Sequence, residues 1–351
     1  MIKTFLINIT VILFVLMSLY SCSGVSYEQI YPTLGDGKYD SEFPYKGSSE
    51  ELEKISQTIH RITSTGLYKT FTFSINDSLT SEKIKGKDLE SIALVSGYAD
   101  QSSSGSATTI ISRDGKIVLL TCAHVVDSPD TIFSYFYNGS GEKTNFIQSL
   151  LIKDHQIVYA AGFPEGSRLE ILAIDRKNDI ALIGRDYINT ISDYTLPFLN
   201  YPNGKAEELE WGTFVYVFGY PVGYKMITKA IVSSPNKDSH GSFIIDAVIN
   251  QGASGSAVIA IKDGVPNFEL VGIVQWVPEE EENILVPSKS KNEKKYNPLV
   301  TYEGEVFVKK HSAIQYGIAS VISIELIKEF IARNTSSLEL KKYDLKSFLI
   351  R

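Results

Sequence analysis

Alternation of apolar and polar residues dominates the chain after residue 66 and predicts short β-strands. Residues 67–73 alternate and are rich in β-branched and aromatic side chains, as in a half-buried strand. Similar runs, separated by turn residues, recur in two series, at 91–95, 108–112, 117–121, 156–160, 169–174 and 180–183, then at 213–218, 227–232, 243–248, 256–261, 270–276, 305–308 and 314–319. Many short strands favour an all-β fold of barrels or sandwiches.

Two segments follow the helical period instead. Acidic residues follow Ser49, and apolar residues at 52, 55, 59 and 62 share one helical face, so a helix is predicted before the first strand. His60 would then lie at the helix surface. Ser323 caps a second predicted helix, which has an apolar face and follows the last strand. Residues 186–208 have little strand pattern and are predicted to link the two β units.

The first 21 residues predict a signal peptide of the lipoprotein type. Lys3 precedes a mostly apolar run over 5–17 that is shorter than the roughly 20 residues a membrane-spanning helix needs. The sequence Leu19-Tyr20-Ser21-Cys22 resembles the bacterial lipobox, except that Tyr20 stands where a small residue is usual. That resemblance implies lipidation of Cys22, whose acyl chains would hold the protein to a membrane. An ordinary secreted protein cleaved nearby is the alternative.

Composition narrows the function classes. The 351 residues are 43% hydrophobic and 21% charged, which is enough for a packed core. The formal net charge of -7 argues against nucleic acid as the main partner. Cys22 and Cys122 are the only cysteines. If Cys22 is acylated, Cys122 has no partner and is expected to be a buried small hydrophobe.

Three short motifs carry the candidate chemistry. In chain order they are Thr121-Cys122-Ala123-His124, Asn178-Asp179-Ile180-Ala181-Leu182 and Gly252-Ala253-Ser254-Gly255-Ser256. Each alone is weak, because glycine and serine turns are common and an aspartate before a strand can serve only as its cap. Together they supply a base, an acid that orients it and a nucleophile on a glycine-flanked turn, which acyl transfer by serine requires. The amides of Gly252 and Ser254 are the expected oxyanion donors.

Residues 246–256 resemble the nucleophile region of the trypsin-like (chymotrypsin-fold) serine proteases of the HtrA type. Ala253 replaces the family's asparagine, and Ser256 replaces its second glycine. Residues 105–126 and 175–182 resemble the histidine and aspartate regions of the same family. The resemblance covers roughly residues 55–333 and implies two six-stranded antiparallel β-barrels, with an N-terminal and a C-terminal helix. It also implies His124 as general base, Asp179 as its partner and Ser254 as nucleophile, at the junction of the barrels.

The resemblance sets the expected domain boundaries. The signal peptide covers 1–21, a tether 22–47 and the peptidase domain 48–335, followed by a C-terminal tail over 336–351. Within the domain, the first barrel is expected at about 67–185 and the second at about 209–320. The tail is too short for the PDZ domain that HtrA enzymes usually carry.

The resemblance also implies where substrate binds. Val248, six positions before Ser254, matches the base of the primary specificity pocket, and Val277 stands where many relatives have glycine. Gln275 and Trp276 belong to the strand that would pair with an extended substrate. Two valines imply a short apolar pocket and cleavage after small aliphatic residues. No metal-ligand cluster or cofactor motif is visible in the sequence, so no metal or cofactor is expected.

The combined prediction is a membrane-anchored bacterial serine endopeptidase that cleaves envelope or extracellular proteins. The alternative is a catalytically silent, protease-like lipoprotein that acts as an envelope binding or adhesion protein. The charged stretch 279–295 is predicted to be a solvated, mobile loop. A loop that overhangs the cleft and restricts substrate access is the other interpretation.

Overall fold

The computed structural model describes residue 30 and residues 34–138, 142–163, 168–187, 195–276, 279–287, 299, 301, 306–314 and 317–351. In chain order the elements are α1 (Ser49–Gln57), β1 (Ile59–Thr72), α2 (Leu89–Ile92), β2 (Val95–Arg113), β3 (Lys116–Thr121), α3 (Ala123–Val126), β4 (Thr131–Tyr137), β5 (Lys143–Ala160), β6 (Arg168–Asp175), β7 (Ile180–Asp186), β8 (Phe214–Gly219), β9 (Met226–Ser234), β10 (Phe243–Ile245), β11 (Ala257–Ile261), β12 (Phe268–Trp276), β13 (Glu279–Pro287), β14 (Val306–Ile314), β15 (Ala319–Ser323), α4 (Ile324–Leu340) and α5 (Lys346–Leu349).

The first barrel is a ring of six antiparallel strands in the order β1-β2-β3-β7-β6-β5, closed where β5 pairs with β1. β4 extends this sheet by pairing with β5. Every residue of β3 is buried, because its apolar run crosses the middle of the barrel. β2 is largely exposed over its first half and buried over residues 105–112. The long strands therefore extend past the barrel at their outer ends.

The second barrel is a closed ring in the order β10-β15-β12-β11-β8-β9. β8 and β11 are buried along their whole length, and their apolar side chains belong to one core shared with the first barrel. The prediction of two six-stranded antiparallel barrels with flanking helices is thus confirmed. None of the described helices is long and apolar enough to cross a membrane.

The first helix is shorter than predicted, and the first strand begins earlier. α1 ends at Gln57, while Ile59 and Ile62 belong to β1 and are buried. β1 pairs with β2 on one side and β5 on the other, so tertiary pairing overrides the helical spacing of these isoleucines. The prediction of a surface position for His60 is consequently wrong. The residue is 9% exposed, and its imidazole lies edge-on to the ring of Phe163, with centroids 5.0 Å apart.

Part of the predicted tether is packed against the second barrel. Tyr39 is 7% exposed; its hydroxyl donates to Glu269 Oε2 at 2.6 Å and accepts from the Lys205 amide at 2.7 Å. The Asp40 amide donates to the carbonyl oxygen of Ile261 at 2.9 Å. This segment carries Gly, Pro, Tyr and Ser without periodicity, which predicts a tether, but the ring and the hydroxyl of Tyr39 bind it to the barrel.

The predicted C-terminal tail is also part of the fold. Leu338, Tyr343, Leu345 and Phe348 are buried in the main core. The ammonium group of Lys116 pairs with Asp186 and lies 4.6 Å from the centre of the Tyr343 ring. A cation over an aromatic face in a buried position stabilises the contact, so the C-terminal segment is attached to the first barrel.

Several predicted strands differ from the structure. Residues 91–95 include the end of α2, and β2 starts only at Val95. The charged stretch was predicted to be a loop, but residues 279–287 form β13, which pairs antiparallel with β14. Its register sets Glu282 opposite His311 and Asn283 opposite Lys310. The pairing partner of this acidic run lies more than twenty residues downstream, so local composition alone indicates a loop. Residues 288–295 lie outside the described part of the chain.

The buried imidazole of His60 predicts a loss of stability in acid. Burial, together with the positive charge of Lys225, lowers the pKa of His60 from 6.5 to about 4. The unfolded chain therefore takes up this proton at higher pH than the folded protein does. The contribution of neutral His60 to the free energy of unfolding is therefore complete above pH 6.5. It decreases by up to about 1.4 kcal/mol per pH unit as the pH falls toward 4.

Urea unfolding at several pH values measures this contribution. The free energy of unfolding of His60→Gln should depend less on pH between 6.5 and 4.5 than that of the wild type. His155→Gln, which changes a half-exposed histidine, is the control and should keep the wild-type slope. Equal slopes for wild type and His60→Gln would show that the burial of this ring has no such consequence.

Candidate active site

His124 lies in the single helical turn that follows β3. β3 ends at Thr121, and α3 begins at Ala123, so His124 emerges at the edge of the first barrel. Its side chain is 48% exposed, while its neighbours Ala123 and Val125 are buried. The buried neighbours hold the turn in place and leave the ring at the surface, where a substrate can reach it.

Asp179 occupies the turn between β6 and β7 and contacts His124 twice. Its Oδ1 accepts the backbone amide of His124 at 2.9 Å, and its Oδ2 lies 2.8 Å from His124 Nδ1. The carboxylate only accepts hydrogen bonds, so Nδ1 carries the hydrogen and Nε2 of the neutral ring is left as a proton acceptor. Asp179 has a left-handed φ of 59°, a conformation that aspartate tolerates better than most residues.

Charged side chains brace the turn that carries Asp179. Asp175 accepts the backbone amide of Asn178 at 3.0 Å and the side-chain amide of Asn178 at 2.8 Å. Arg333 of α4 donates to the same Asp175 carboxylate at 3.1 Å. Arg176 donates to Asp127, the residue after α3, with a distance of 2.9 Å from Nη2 to Oδ1. The turn is thereby connected both to the histidine segment and to the C-terminal helix.

Cys122 packs behind the His124–Asp179 pair. Its thiol is fully buried and donates to the carbonyl oxygen of Val274 at 3.2 Å. The possible ligand atoms of Cys122, His124 and Asp179 lie within 4.8 Å of one another. Burial, and then the charge of Asp179, raise the pKa of the Cys122 thiol well above its ordinary value, which opposes the thiolate that metal binding requires. The prediction of a buried small hydrophobe is confirmed.

Ser254 lies in a tight loop between β10 and β11 that depends on glycine. Gly252 has a φ of 93°, and a Cβ atom there would lie 2.5 Å from the carbonyl oxygen of Tyr220. Gly255 has a φ of 84°, and a Cβ atom there would collide with the carbonyl oxygen of Ser106. Both positions therefore exclude other residues for conformational and steric reasons. Ala253, where a polar residue is usual in the family, is 1% exposed and packs into the core.

The loop leaves two amides without a partner. The amides of Ala253, Gly255 and Ser256 donate to backbone carbonyl oxygens, at 3.0, 2.8 and 2.9 Å. Among the described residues, by contrast, nothing accepts from the N–H of Gly252 or of Ser254. Two free amides on one tight loop are the arrangement that binds a developing oxyanion.

Backbone contacts bring the Ser254 loop to the histidine segment. The amide of Ser106 in β2 donates to the carbonyl oxygen of Ser254 at 2.8 Å. The Gly255 amide and the Cys122 thiol share the carbonyl oxygen of Val274 as acceptor. Since Cys122 immediately precedes α3, the loop and the His124–Asp179 pair meet at the junction of the two barrels.

The predicted substrate-binding residues are only partly described. Val248 is 72% exposed, so it does not lie at the base of a closed pocket, although its neighbours Ala247 and Ile249 are buried. Gln275 is half-buried, and Trp276 ends β12 opposite Ser320. Val277 and Cys22 lie outside the described residues.

A family comparison decides the class of the protein. Residues 105–273, which include His124, Asp179 and Ser254, match the family described as the trypsin-like peptidase domain. The protein is a trypsin-like serine endopeptidase. No curated protein sequence matches the chain.

Solved structures of peptidases are similar to this endopeptidase at low identity. The HtrA-type protease AlgW with a decapeptide is 16% identical, with a TM-score of 0.44, and the match covers 84% of this chain and 68% of that chain. The Rv3671c protease from M. tuberculosis, in its active form, is 15% identical, with a TM-score of 0.36 and coverage of 76% and 79%. Deg5 is 15% identical, with a TM-score of 0.36 and coverage of 66% and 87%.

Several residues that touch this site carry no signal of that role in the sequence. Ser106 was part of a motif, but nothing local indicates that its side chain faces the Ser254 loop. Val222 has a left-handed φ of 46°, which is rare for a β-branched residue, and its amide donates to the carbonyl oxygen of Gln251 at 2.7 Å. Arg333 comes from a helix predicted only as an amphipathic element.

Proposed function

We propose that this endopeptidase hydrolyses peptide bonds through Ser254, His124 and Asp179. The Ser254 hydroxyl attacks the carbonyl carbon of the substrate, and its proton passes to His124 Nε2. The negative charge of Asp179 stabilises the resulting imidazolium. His124 then gives the proton to the leaving amine, so the peptide bond breaks and an acyl-enzyme remains. Water, deprotonated by His124, releases the acid and regenerates Ser254.

One observation carries this proposal: Asp179 binds both the backbone and the ring of His124. A carboxylate that held only the ring would leave the histidine backbone free to shift. With the amide at 2.9 Å and Nδ1 at 2.8 Å, the ring has one tautomer and one orientation. The free amides of Gly252 and Ser254 support the same chemistry, because they could stabilise negative charge on the carbonyl oxygen of the substrate.

We further propose that cleavage occurs after small aliphatic residues. Val248 stands at the position that would contact the side chain before the scissile bond, and it carries no charge to attract Lys, Arg or Glu. Because it is largely exposed, it is accessible to a substrate side chain. Apolar contact of this limited area favours short aliphatic groups by only a modest factor.

The proposed location is the bacterial cell envelope, with an anchor at Cys22. The support is the apolar run over 5–17 and the lipobox-like sequence that ends at Cys22. Lipid on Cys22 would hold the enzyme at a membrane surface, where its substrates would be proteins of the envelope or of the exterior.

Two variants test the catalytic proposal. A fluorophosphonate probe should label the wild type, which should also digest unfolded casein, whereas Ser254→Ala should show neither property. Asp179→Asn keeps Ser254 but presents a donor to Nδ1, so kcat should fall by about 10⁴ with KM little changed. An unlabelled, inactive wild type would favour the binding-protein alternative, and casein digestion by Ser254→Ala would place the nucleophile elsewhere.

A peptide library tests the specificity proposal. The wild type should prefer Val or Ala before the scissile bond over Lys, Arg and Glu. Val248→Asp introduces a carboxylate and should raise cleavage after Lys and Arg, while Val248→Asn, of similar size and neutral, should not. A wild type that clearly prefers basic residues would refute the proposed specificity.

Metabolic labelling with a fatty acid tests the anchor. In a bacterial host, label should be incorporated into the wild type and into Ser254→Ala but not into Cys22→Ala. The Cys22→Ala protein should move from the membrane fraction to the soluble fraction and keep its casein activity. Label that persists in Cys22→Ala, or equal fractionation of the two proteins, would contradict lipidation at this cysteine.

A further inference from the structure

The two halves of the site come from different barrels, so catalysis requires that the barrels keep a fixed position relative to each other. His124 and Asp179 belong to the first barrel, whereas Ser254 and the free amides of its loop belong to the second. A shift of one barrel against the other would move the oxyanion donors away from the substrate carbonyl. Displacements of about 1 Å are enough to reduce rates strongly.

Ser106 of the first barrel contacts the Ser254 loop at two points. Its backbone amide donates to the carbonyl oxygen of Ser254 at 2.8 Å. Its hydroxyl donates to the carbonyl oxygen of Gly252 at 2.8 Å. The residue is fully buried, so water does not compete for these bonds, and both carbonyls flank the peptide units that contain the free amides.

The direction of the Ser106 proton is determined by its partners. The hydroxyl accepts the amide of Tyr220 at 2.8 Å and the hydroxyl of Ser256 at 3.2 Å. A hydroxyl has one proton and two lone pairs, and the Tyr220 amide can only donate. With both lone pairs occupied, the proton must point to the Gly252 carbonyl. The hydrogen-bonding capacity of Ser106 is thus fully used.

The remaining carbonyls of the loop are held in the same way. Gln251 accepts from the Val222 amide at 2.7 Å, and Ala253 accepts from the Ser256 amide at 2.9 Å. In a trans peptide the C=O and the next N–H point in opposite directions. Anchoring these two carbonyls therefore turns the N–H groups of Gly252 and Ser254 to the other side, and the Ser106 hydroxyl holds the carbonyl between them.

We propose that Ser106 is a positioning residue, whose side-chain hydroxyl fixes the oxyanion loop of the second barrel against the first barrel. This inference rests on the proposed function, because the role of Ser106 is to align the oxyanion loop with the other catalytic residues of that site. Loss of the hydroxyl leaves Tyr220 N–H, Gly252 C=O and the Ser256 hydroxyl without their buried partner. Without the hydroxyl, the free amides of the loop lose their orientation. Stabilisation of the transition state then decreases, while binding of the substrate changes little.

An isosteric pair at position 106 tests the proposal. Ser106→Thr keeps the hydroxyl and Ser106→Val has the same shape without it, so any effect of the added bulk is shared. Relative to Ser106→Thr, kcat of Ser106→Val should fall by about 10- to 100-fold, below the loss for a direct oxyanion donor. KM should change less than about threefold, because substrate binding does not use the oxyanion site.

Two further measurements separate positioning from folding. The affinity for a peptide boronic acid, which forms a tetrahedral anion on the nucleophile, should fall by the same factor as kcat/KM. Binding of a substrate peptide in the Ser254→Ala background should not change. Thr108→Val is the matched control, since Thr108 is buried two residues along β2 and its hydroxyl has no partner among the described residues; its kcat and melting temperature should match the wild type.

The outcomes distinguish this inference from the proposed function. A wild type that a fluorophosphonate does not label would overturn both. A labelled wild type with equal kcat and boronate affinity in Ser106→Thr and Ser106→Val would overturn only the role of Ser106. That role is also overturned if Thr108→Val loses as much activity as Ser106→Val, or if only KM rises. Should Ser106→Val fail to fold while Ser106→Thr folds, Ser106→Ala replaces it, and the boronate affinity decides.

Discussion

The carboxylate of Asp179 accepts two hydrogen bonds from His124, and contacts from several other segments hold Asp179 in this position. Because His124 N and Nδ1 bind separate oxygens, neither the ring nor its backbone can move independently of the aspartate. Asp175, Arg176 and the C-terminal helix brace the turn behind it. Interactions among exposed charges contribute little to stability individually, yet here several of them restrict one short hairpin turn, where small shifts matter for the ring.

The second constraint is the arrangement of amides and carbonyls around Ser254. Every carbonyl from Gln251 to Ser254 accepts a hydrogen bond, but the amides at 252 and 254 do not donate one to any described residue. Most backbone amides in folded proteins have a partner, and the amides of Gly252 and Ser254, which are half-buried, are two donors that an electronegative oxygen of a ligand could use. The packing of the buried Ala253 and the hydrogen bond from the Ser106 hydroxyl to the Gly252 carbonyl both hold this loop in shape.

The strands and the three site motifs could be predicted from the sequence, because alternation and glycine-flanked turns are local signals. Alternation alone leaves barrels and sandwiches open, and the two six-stranded barrels follow from the family resemblance. The errors have a common physical cause, which is pairing between segments far apart in the chain. Ile59 fits a helical face, yet it belongs to β1, where it pairs with Thr108 of β2. Tyr39 sits in a linker-like composition, yet Glu269 and the Lys205 amide bind its hydroxyl. Ser106 and Arg333 reach the site only through tertiary contacts, so no spacing along the chain indicates their roles.

The docking of Tyr39 on the second barrel limits how far the catalytic domain could stand from a lipid bilayer. If Cys22 is acylated as proposed, the length of chain from Cys22 to Tyr39 sets the largest possible distance between the bilayer and the contacts of Tyr39 with the second barrel. Even if fully extended, the seventeen Cα–Cα steps from Cys22 to Tyr39 would span at most about 60 Å, roughly twice the diameter of one small domain. Substrates that reach the cleft would then be those within a shallow layer above the headgroups, and access would depend on how the second barrel is oriented toward that layer.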